Sequence, residues 1–200
     1  MNYTLMNKNT ELMDVDMDQG TVLSISNVRE ENKHLIPIFL TPPHNQGFSR
    51  AVFNEWWSSR RIPASRGGVK ELFWYLDNIP LNYLAEKSFG LSLSDQYWIR
   101  PDKSINWSDI NFFDNDFSED IGNLLITGEW AGGSLISPDN TSDGVLKKQC
   151  KIINGKRYLI KGSFGEPWQS QPFREIFASN VAKVLQIVGS QADELIESGF

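Results

Sequence analysis

The two residues of this chain best suited to chemistry are Lys161 and Glu175, which lie fourteen positions apart. Phosphoryl transfer depends mainly on positioning and on charge stabilisation, and a lysine ammonium group can supply positive charge to phosphate oxygens. A lysine side chain is mobile unless a carboxylate on a neighbouring element holds it. The spacing leaves room for a short connection and one helical turn, so Glu175 is suited to that role. Alternatively, Lys161 is a solvated lysine at the end of a strand, and Glu175 is a first-turn glutamate favoured by the helix dipole.

The elements that would position this pair are a β-hairpin and a helix. Asn154-Gly155 separates two apolar, β-branched runs, and both residues tolerate the positive φ that a two-residue hairpin turn requires. We therefore predict a hairpin over Cys150–Lys161, whose second strand ends at Lys161. A helix is predicted to open at Pro172 and to carry Glu175, and a turn-rich loop covers Ser137–Gly144.

Three segments of this region resemble the small lobe of HipA-like serine/threonine kinases. They are S-P-D-N-T-S-D-G-V-L-K-K from Ser137, I-N-G-K-R-Y-L-I-K-G-S from Ile153 and P-F-R-E-I-F-A-S from Pro172. The resemblance is closest to a bacterial group with two further motifs, L-S-L-S-D-Q-Y-W-I and W-S-D-I-N-F-F-D-N-D-F-S-E-D-I-G. These motifs occupy Leu91–Ile99 and Trp107–Gly122 in this chain. The resemblance covers most of the chain, from about residue 35 onward.

The resemblance implies that the chain binds ATP. Lys161 matches the family's phosphate-binding lysine, Glu175 matches its helix partner, and the loop at Ser137–Gly144 matches its phosphate loop. The loop contains neither the G-x-G-x-x-G pattern nor a Walker pattern, so as an isolated motif it is weak. The residues expected to bind the nucleotide are Ser137, Thr141, Ser142, Asp143, Gly144, Lys161 and Glu175.

The same resemblance implies that the catalytic half of a kinase is missing. A kinase needs a catalytic aspartate, a metal-binding asparagine and a second, metal-binding aspartate, and all belong to a large lobe that follows the helix. After Glu175 the sequence has one aspartate, Asp193, and one asparagine, Asn180, in an order that cannot supply this set. We therefore expect no catalytic residue and no metal ligand in this chain. ATP binding is expected to be weak or lost, and Mg²⁺ to bind only with a complementing large lobe.

The end of the sequence departs from the family pattern. Gly189–Phe200 predicts a short acidic helix where the resemblance implies an apolar strand. This departure suggests a truncation, a frameshift or a split gene. A small lobe without its large lobe should also expose an apolar patch, with Phe164, Trp168, Phe173 and Leu195 as candidates.

Composition limits the other function classes. A net charge of −6 argues against direct nucleic-acid binding, because phosphate contacts require clustered lysine and arginine. Cys150 is the single cysteine, which excludes an internal disulfide, and we expect it to be a small core residue. His34 and His44 lack metal-ligand spacing, and the acidic run from Asp14 lacks the glycine and glutamate of an EF-hand. No run approaches the roughly 18 apolar residues of a membrane helix, so we expect a cytoplasmic protein without membrane contact.

The predicted fold class is α+β, with a small N-terminal β-sheet and packed helices, followed by an antiparallel kinase-like small lobe with one helix. The polar, glycine-rich segment Thr127–Gly133 is the predicted boundary between an accessory region, 1–130, and the small lobe, 131–200. Arg60, Arg61 and Arg66 could bind a phosphate or an acidic partner, but we expect them to form a local, solvated basic loop. The N-terminal elements are three strands, Tyr3–Met6, Glu11–Met17 and Thr21–Val28, and helices at Phe48–Arg61, Val69–Asp77, Leu81–Ser88 and from Ser118 to Leu125.

Three functions remain open. The first is the N-terminal part of a HipA-like serine/threonine kinase of the toxin–antitoxin type, inactive alone. The second is a non-catalytic binding or regulatory module that docks on a partner, either a separate kinase large lobe or a DNA-binding antitoxin. The third is an interaction domain that binds no nucleotide.

Overall fold

The computed structural model describes residues 1–43, 46–163 and 170–185. Their fold is α+β, as the sequence predicts, with a four-stranded antiparallel sheet, a two-stranded antiparallel sheet and several helices. Four features of the predictions lie outside the described residues: His44, Phe164, Trp168 and the segment Gly189–Phe200, which includes Leu195. No helix among the described residues is both long enough and apolar enough to cross a bilayer.

The four-stranded sheet has the order β3-β2-β1-β4. Alternating apolar residues of the strands, including Leu5, Met13 and Val15, are buried on one face of the sheet. The turn between β2 and β3 contains Gln19 and Gly20, both with positive φ. The last strand was not predicted from the sequence. The strands are β1 (Asn2–Asn7), β2 (Thr10–Asp18), β3 (Thr21–Ser26) and β4 (Tyr97–Arg100).

Helix α1 (Arg50–Ser59) packs on this sheet and covers the free edge of β3. Ser49 caps its first turn by accepting a hydrogen bond from the backbone N–H of Val52 at 3.4 Å. The helix buries Phe53 and Trp57 against the sheet. The side chain of Asn54 accepts from the N–H of Val22 at 2.7 Å and donates to its carbonyl at 3.0 Å. Because those groups would otherwise be an open strand edge, Asn54 blocks the addition of another strand there.

The middle of the chain forms short helices around a second core. Their apolar faces meet because each helix is too short to bury its own hydrophobic residues alone. The helices are α2 (Val69–Tyr75), α3 (Leu81–Lys87), α4 (Trp107–Ile110) and α5 (Asp120–Thr127). Helix α4 contributes Trp107 to a separate apolar cluster, whereas α2, α3 and α5 form the second core. This core contains Ile62, Val69, Leu72, Leu81, Leu84, Ile121, Leu124 and Leu125.

The predicted hairpin is confirmed. Strands β5 (Lys148–Ile153) and β6 (Lys156–Lys161) pair antiparallel, with Lys148 opposite Lys161. Asn154 and Gly155 form the turn with φ of 52° and 74°, the backbone conformation for which the sequence pattern was diagnostic. The hairpin lies against α5, where the Gln149 side chain donates to Asn123 Oδ1 at 2.6 Å.

Helix α6 (Gln171–Val184) is also as predicted, with Pro172 in its first turn. Its apolar residues recur at a spacing of three to four, which places them on one side of the helix. That side is exposed. Phe173, which the sequence predicted in an apolar patch, is 63% exposed, and further exposed members are Phe177 (70%), Val181 (40%) and Val184 (81%).

Two of the three predicted solvated arginines are buried, and for them the prediction is wrong. Arg60 is 8% exposed and forms an ion pair of 2.5 Å with Asp95, while also donating to the carbonyls of Gly90 and Tyr97. Arg66 is 3% exposed. A charged side chain becomes tolerable in the interior when partners satisfy its donors, and a sequence pattern does not show whether such partners exist.

Hydrogen bonds cross the predicted domain boundary at residue 130. The backbone N–H of Ile62 donates to the carbonyl of Asn140 at 3.1 Å, and Arg157 donates to the carbonyls of Phe112 and Asn115, each at 2.8 Å. The division into 1–130 and 131–200 stays a prediction, but its two parts are in direct contact.

Candidate functional site

Lys161 and Glu175 form the predicted ion pair. Lys161 is the last residue of β6 and Glu175 lies near the start of α6, so the pair joins the end of the hairpin to the helix. The distance between Lys161 Nζ and Glu175 Oε2 is 2.5 Å, and the side chains are 36% and 41% exposed. An ion pair this exposed adds only about 0–1 kcal/mol to stability. Because the Lys161 side chain is partly exposed, its ammonium group remains accessible to an anion.

The predicted phosphate loop begins inside the protein. Ser137 precedes a short 3-10 helix, Pro138–Thr141, and its hydroxyl accepts from the N–H of Asp139 at 3.3 Å. The Thr141 hydroxyl donates to the carbonyl of Leu91 at 2.6 Å. Ser137 is fully buried and Thr141 nearly so, at 8% exposure. These two hydroxyls hold the loop in place, and they face a ligand only if the loop opens.

Asp139 is a buried carboxylate at the centre of the loop. Its Oδ1 accepts from the backbone N–H of Cys150 at 2.9 Å, and its Oδ2 accepts from the Ser137 hydroxyl at 3.2 Å. Burial raises the pKa of Asp139 to about 6, although both hydrogen bonds act in the opposite direction. Burial, followed by the charge of Asp139, also raises the pKa of the Cys150 thiol. Cys150 is therefore a protonated core residue, as predicted, and not a nucleophile.

Arg66 fixes the exposed end of the loop. Its guanidinium donates to the Ser142 hydroxyl at 2.7 Å, to the Ser142 carbonyl, and to the Gly144 carbonyl at 2.9 Å. Burial lowers the pKa of Arg66, and the carboxylates of Asp139 and Asp143 offset part of that effect. Sequence reasoning missed this function, because Arg66 and Ser142 lie 76 positions apart.

Lys148 connects the loop to the ion pair. Its Nζ donates to the carbonyl of Asp143, and it lies opposite Lys161 in the hairpin. A Cβ atom at Gly144, where φ is +97°, would lie 2.8 Å from that Nζ, so glycine permits the close approach. Burial, and then the positive charges of Arg66 and Lys161, lower the pKa of Lys148. The adjacent lysines at 147 and 148, just before a predicted strand, were the only local signal for this residue.

The seven predicted residues are thus divided into three groups. Lys161 and Glu175 are paired and accessible. Ser142, Asp143 and Gly144 form the exposed end of the loop, where Arg66 and Lys148 contact them. Ser137 and Thr141 are buried in the interior. Positive charge from two lysines beside exposed loop backbone suits an anionic ligand such as a phosphate chain.

The described residues contain no group of three or more histidine, cysteine, aspartate or glutamate side chains that could hold a metal ion. Comparison of the chain with protein-family models, with curated proteins and with solved structures finds no match. A relationship to HipA-like kinases is therefore a prediction from the sequence motifs alone. Its implications for function are proposals, to be tested on the residues of the loop and the hairpin.

Proposed function

We propose that this chain is the N-terminal part of a HipA-like serine/threonine kinase of the toxin–antitoxin type, located in the cytoplasm and inactive without a large lobe. The observation that carries the proposal is the ion pair between Lys161 Nζ and Glu175 Oε2 at 2.5 Å. It joins a strand to a helix, as expected if the carboxylate readies the lysine for nucleotide phosphates. Its exposure leaves the ammonium group within reach of a ligand.

The residues around the pair are chemically suited to ATP. Lys161 and Lys148 would hold the phosphates by charge, and the loop at Asp143 and Gly144 would lie beside them. The absence of a side chain at Gly144 favours close approach of the phosphates to the backbone. Mg²⁺ would bind only with a complementing large lobe, because the proposal assigns no metal ligand to this chain.

Titration of a fluorescent ATP analogue tests the proposal. We expect weak binding to the wild-type chain, since only part of the nucleotide's contacts is present while binding still loses translational and rotational freedom. Lys161→Ala should abolish the binding, and Glu175→Ala should weaken it less, because the lysine keeps its charge but becomes mobile. Lys156→Ala is the matched control, since Lys156 is an exposed lysine at the opposite end of the same strand.

Melting curves of the same variants separate the nucleotide site from a structural role. An exposed ion pair contributes about 0–1 kcal/mol, so neither substitution in the pair should change the melting temperature appreciably. Unchanged nucleotide binding in Lys161→Ala would show that this strand is not part of a nucleotide site. A loss of several degrees in both variants would identify the pair as a structural contact.

A second proposal, a binding module without catalytic activity, is favoured by the apolar side of α6. Phe173 and Phe177 are 63% and 70% exposed, and large exposed apolar patches commonly mark protein interfaces. The partner would be a separate kinase large lobe or a DNA-binding antitoxin. A chain that forms such a complex but binds no ATP analogue, with or without the partner, would favour this function over the first.

A further inference from the structure

A groove of about 510 Å³ lies beside α1, and the Lys161–Glu175 pair is not part of its lining. Residues from four segments line it: the 3-10 helix Ile38–Leu40, α1, the turn before β4, and the loop that contains Asp143. Its apolar part consists of Phe39, Val52 and Trp56. Phe39 is 76% exposed and Val52 is 39% exposed, so this apolar surface is available for contact.

The charged residues of the groove leave it negative. Arg60 is the one cation among the described residues that line it, and its ion pair with Asp95 cancels both charges. Glu55 and Asp143 also line the groove and form no ion pair with the described residues. The positive charges of Arg66 and Lys148 offset part of the negative charge of Asp143. Glu55 therefore contributes more than Asp143 to the negative potential of the groove.

We propose that this groove binds an extended, basic peptide segment of a partner protein. An apolar side chain of the peptide would pack on Phe39, Val52 and Trp56, and a neighbouring lysine or arginine would pair with Glu55. Alternating side chains of an extended peptide can meet an apolar surface and a charge in this way. Charge complementarity favours a basic occupant, because the groove is negative. Nucleic acid is negatively charged, and a second copy of this chain has a net charge of −6, so either would be repelled by the groove.

The proposed peptide site borders the proposed nucleotide site, because Thr141 and Asp143 line the groove and also belong to the predicted nucleotide-binding set. Lys161 and Glu175 do not line the groove. Peptide binding should therefore be the same in Lys161→Ala as in the wild-type chain. A failure of nucleotide binding and a failure of peptide binding are separate results.

The test uses three fluorescently labelled peptides of equal length, in which leucine alternates with arginine, with glutamine or with glutamate. Fluorescence anisotropy at low salt should show binding of the leucine–arginine peptide, weaker binding of the glutamine peptide and none of the glutamate peptide. Added salt should weaken the binding of the basic peptide, because exposed ion pairs are screened.

Two pairs of variants locate the binding. We expect Phe39→Ala to weaken binding of the basic peptide by about tenfold, and Glu55→Lys by about fivefold. Trp74→Ala is the matched control for the aromatic residue, because Trp74 is 74% exposed and lies outside the groove. Glu129→Lys is the control for the charge reversal, since Glu129 is exposed and also lies outside it.

Several results would overturn the proposal. One is the absence of binding of the basic peptide to the wild-type chain, and another is equal binding of all three peptides. Equal loss in Glu55→Lys and Glu129→Lys would show a response to net charge alone. Undiminished binding in Phe39→Ala and Glu55→Lys would place the peptide elsewhere.

Discussion

Asp139 carries a buried charge that local hydrogen bonds only partly stabilise. It is fully buried, and its hydrogen-bond donors are the Cys150 N–H, the Cys150 thiol and the Ser137 hydroxyl. Because a carboxylate loses hydration when it is buried, its charged form is disfavoured, and the pKa of Asp139 rises to about 6. Asp139 thus positions the loop at a cost in stability at neutral pH.

We predict that stability depends on this carboxyl group between pH of about 4 and pH of about 6. The pKa of Asp139 is raised above its unfolded value near 3.8, so the folded protein binds more protons in this window. The free energy of unfolding should therefore fall as the pH rises through the window, by up to roughly 3 kcal/mol for this group. Asp139→Asn should flatten that dependence and raise stability at neutral pH, since an amide can still accept from Cys150 N–H and donate to Ser137.

Urea unfolding on both sides of this pH window measures the effect. Asp18→Asn is the matched control, because Asp18 is an exposed carboxylate on β2. A large loss of stability in Asp139→Asn at every pH would mean that the charged hydrogen bonds outweigh the cost of burial.

At the scale of elements, α6 differs from α1 in how it uses its apolar residues. Helix α1 buries Phe53 and Trp57 against the sheet, whereas α6 leaves Phe173, Phe177 and Val184 more than 60% exposed. A helix with an open apolar side obtains little stabilisation from burial within the same chain. The exposed side of α6 is therefore available for association with another molecule.

We predict that the isolated chain self-associates through α6. The double variant Phe173→Gln and Phe177→Gln should reduce the apparent mass in light scattering at high concentration, because two exposed apolar side chains are lost from the surface. Its melting temperature at low concentration should be unchanged, since both residues are exposed. Trp74→Gln, which alters an exposed aromatic residue on α2, should leave the association as it is. A wild-type chain that stays monomeric at high concentration would contradict the prediction.

At the scale of the whole molecule, the loop and the hairpin are held by the N-terminal part of the chain. Arg66 binds the loop, and Thr141 donates to Leu91. Helix α5 lies under the hairpin, where the Ile152 N–H donates to Glu119 Oε1 at 3.0 Å. Because these contacts join residues 1–130 to the loop and the hairpin, the geometry of the candidate nucleotide site depends on the packing of both parts of the chain that the structure describes.

We predict that Gly122→Ala weakens this packing. A Cβ atom at Gly122 would lie 2.5 Å from Asp139 Oδ2 and 2.6 Å from Gln149 Cγ. The helix propensity of alanine favours the change by about 1 kcal/mol, but overpacking typically costs about 1–3 kcal/mol, so the steric effect should prevail. The melting temperature should fall by roughly 3–6 °C. Gly47→Ala, where an added Cβ has nothing within 4 Å, should cause no comparable loss.

Local sequence was sufficient to determine the hairpin and most helices. Asn154-Gly155 determined the turn because only a few residue types accept positive φ at both positions. The spacing of Lys161 and Glu175 allows their contact but does not require it, and the resemblance to the kinase small lobe is what favoured the ion pair. The α+β fold class followed from the same periodic patterns, although β4 was missed because Tyr97–Arg100 is short and its pairing partner, β1, lies far away in the sequence.

Only the tertiary structure decided which polar residues are buried and what they bind. Arg66 meets Ser142 across 76 positions, and Thr141 meets Leu91 across 50. In a sequence, a buried arginine or threonine is indistinguishable from an exposed one, because its burial depends on partners that distant segments supply. For the same reason, the interior positions of Ser137 and Thr141 and the addition of Lys148 to the candidate site became visible only after the chain had folded.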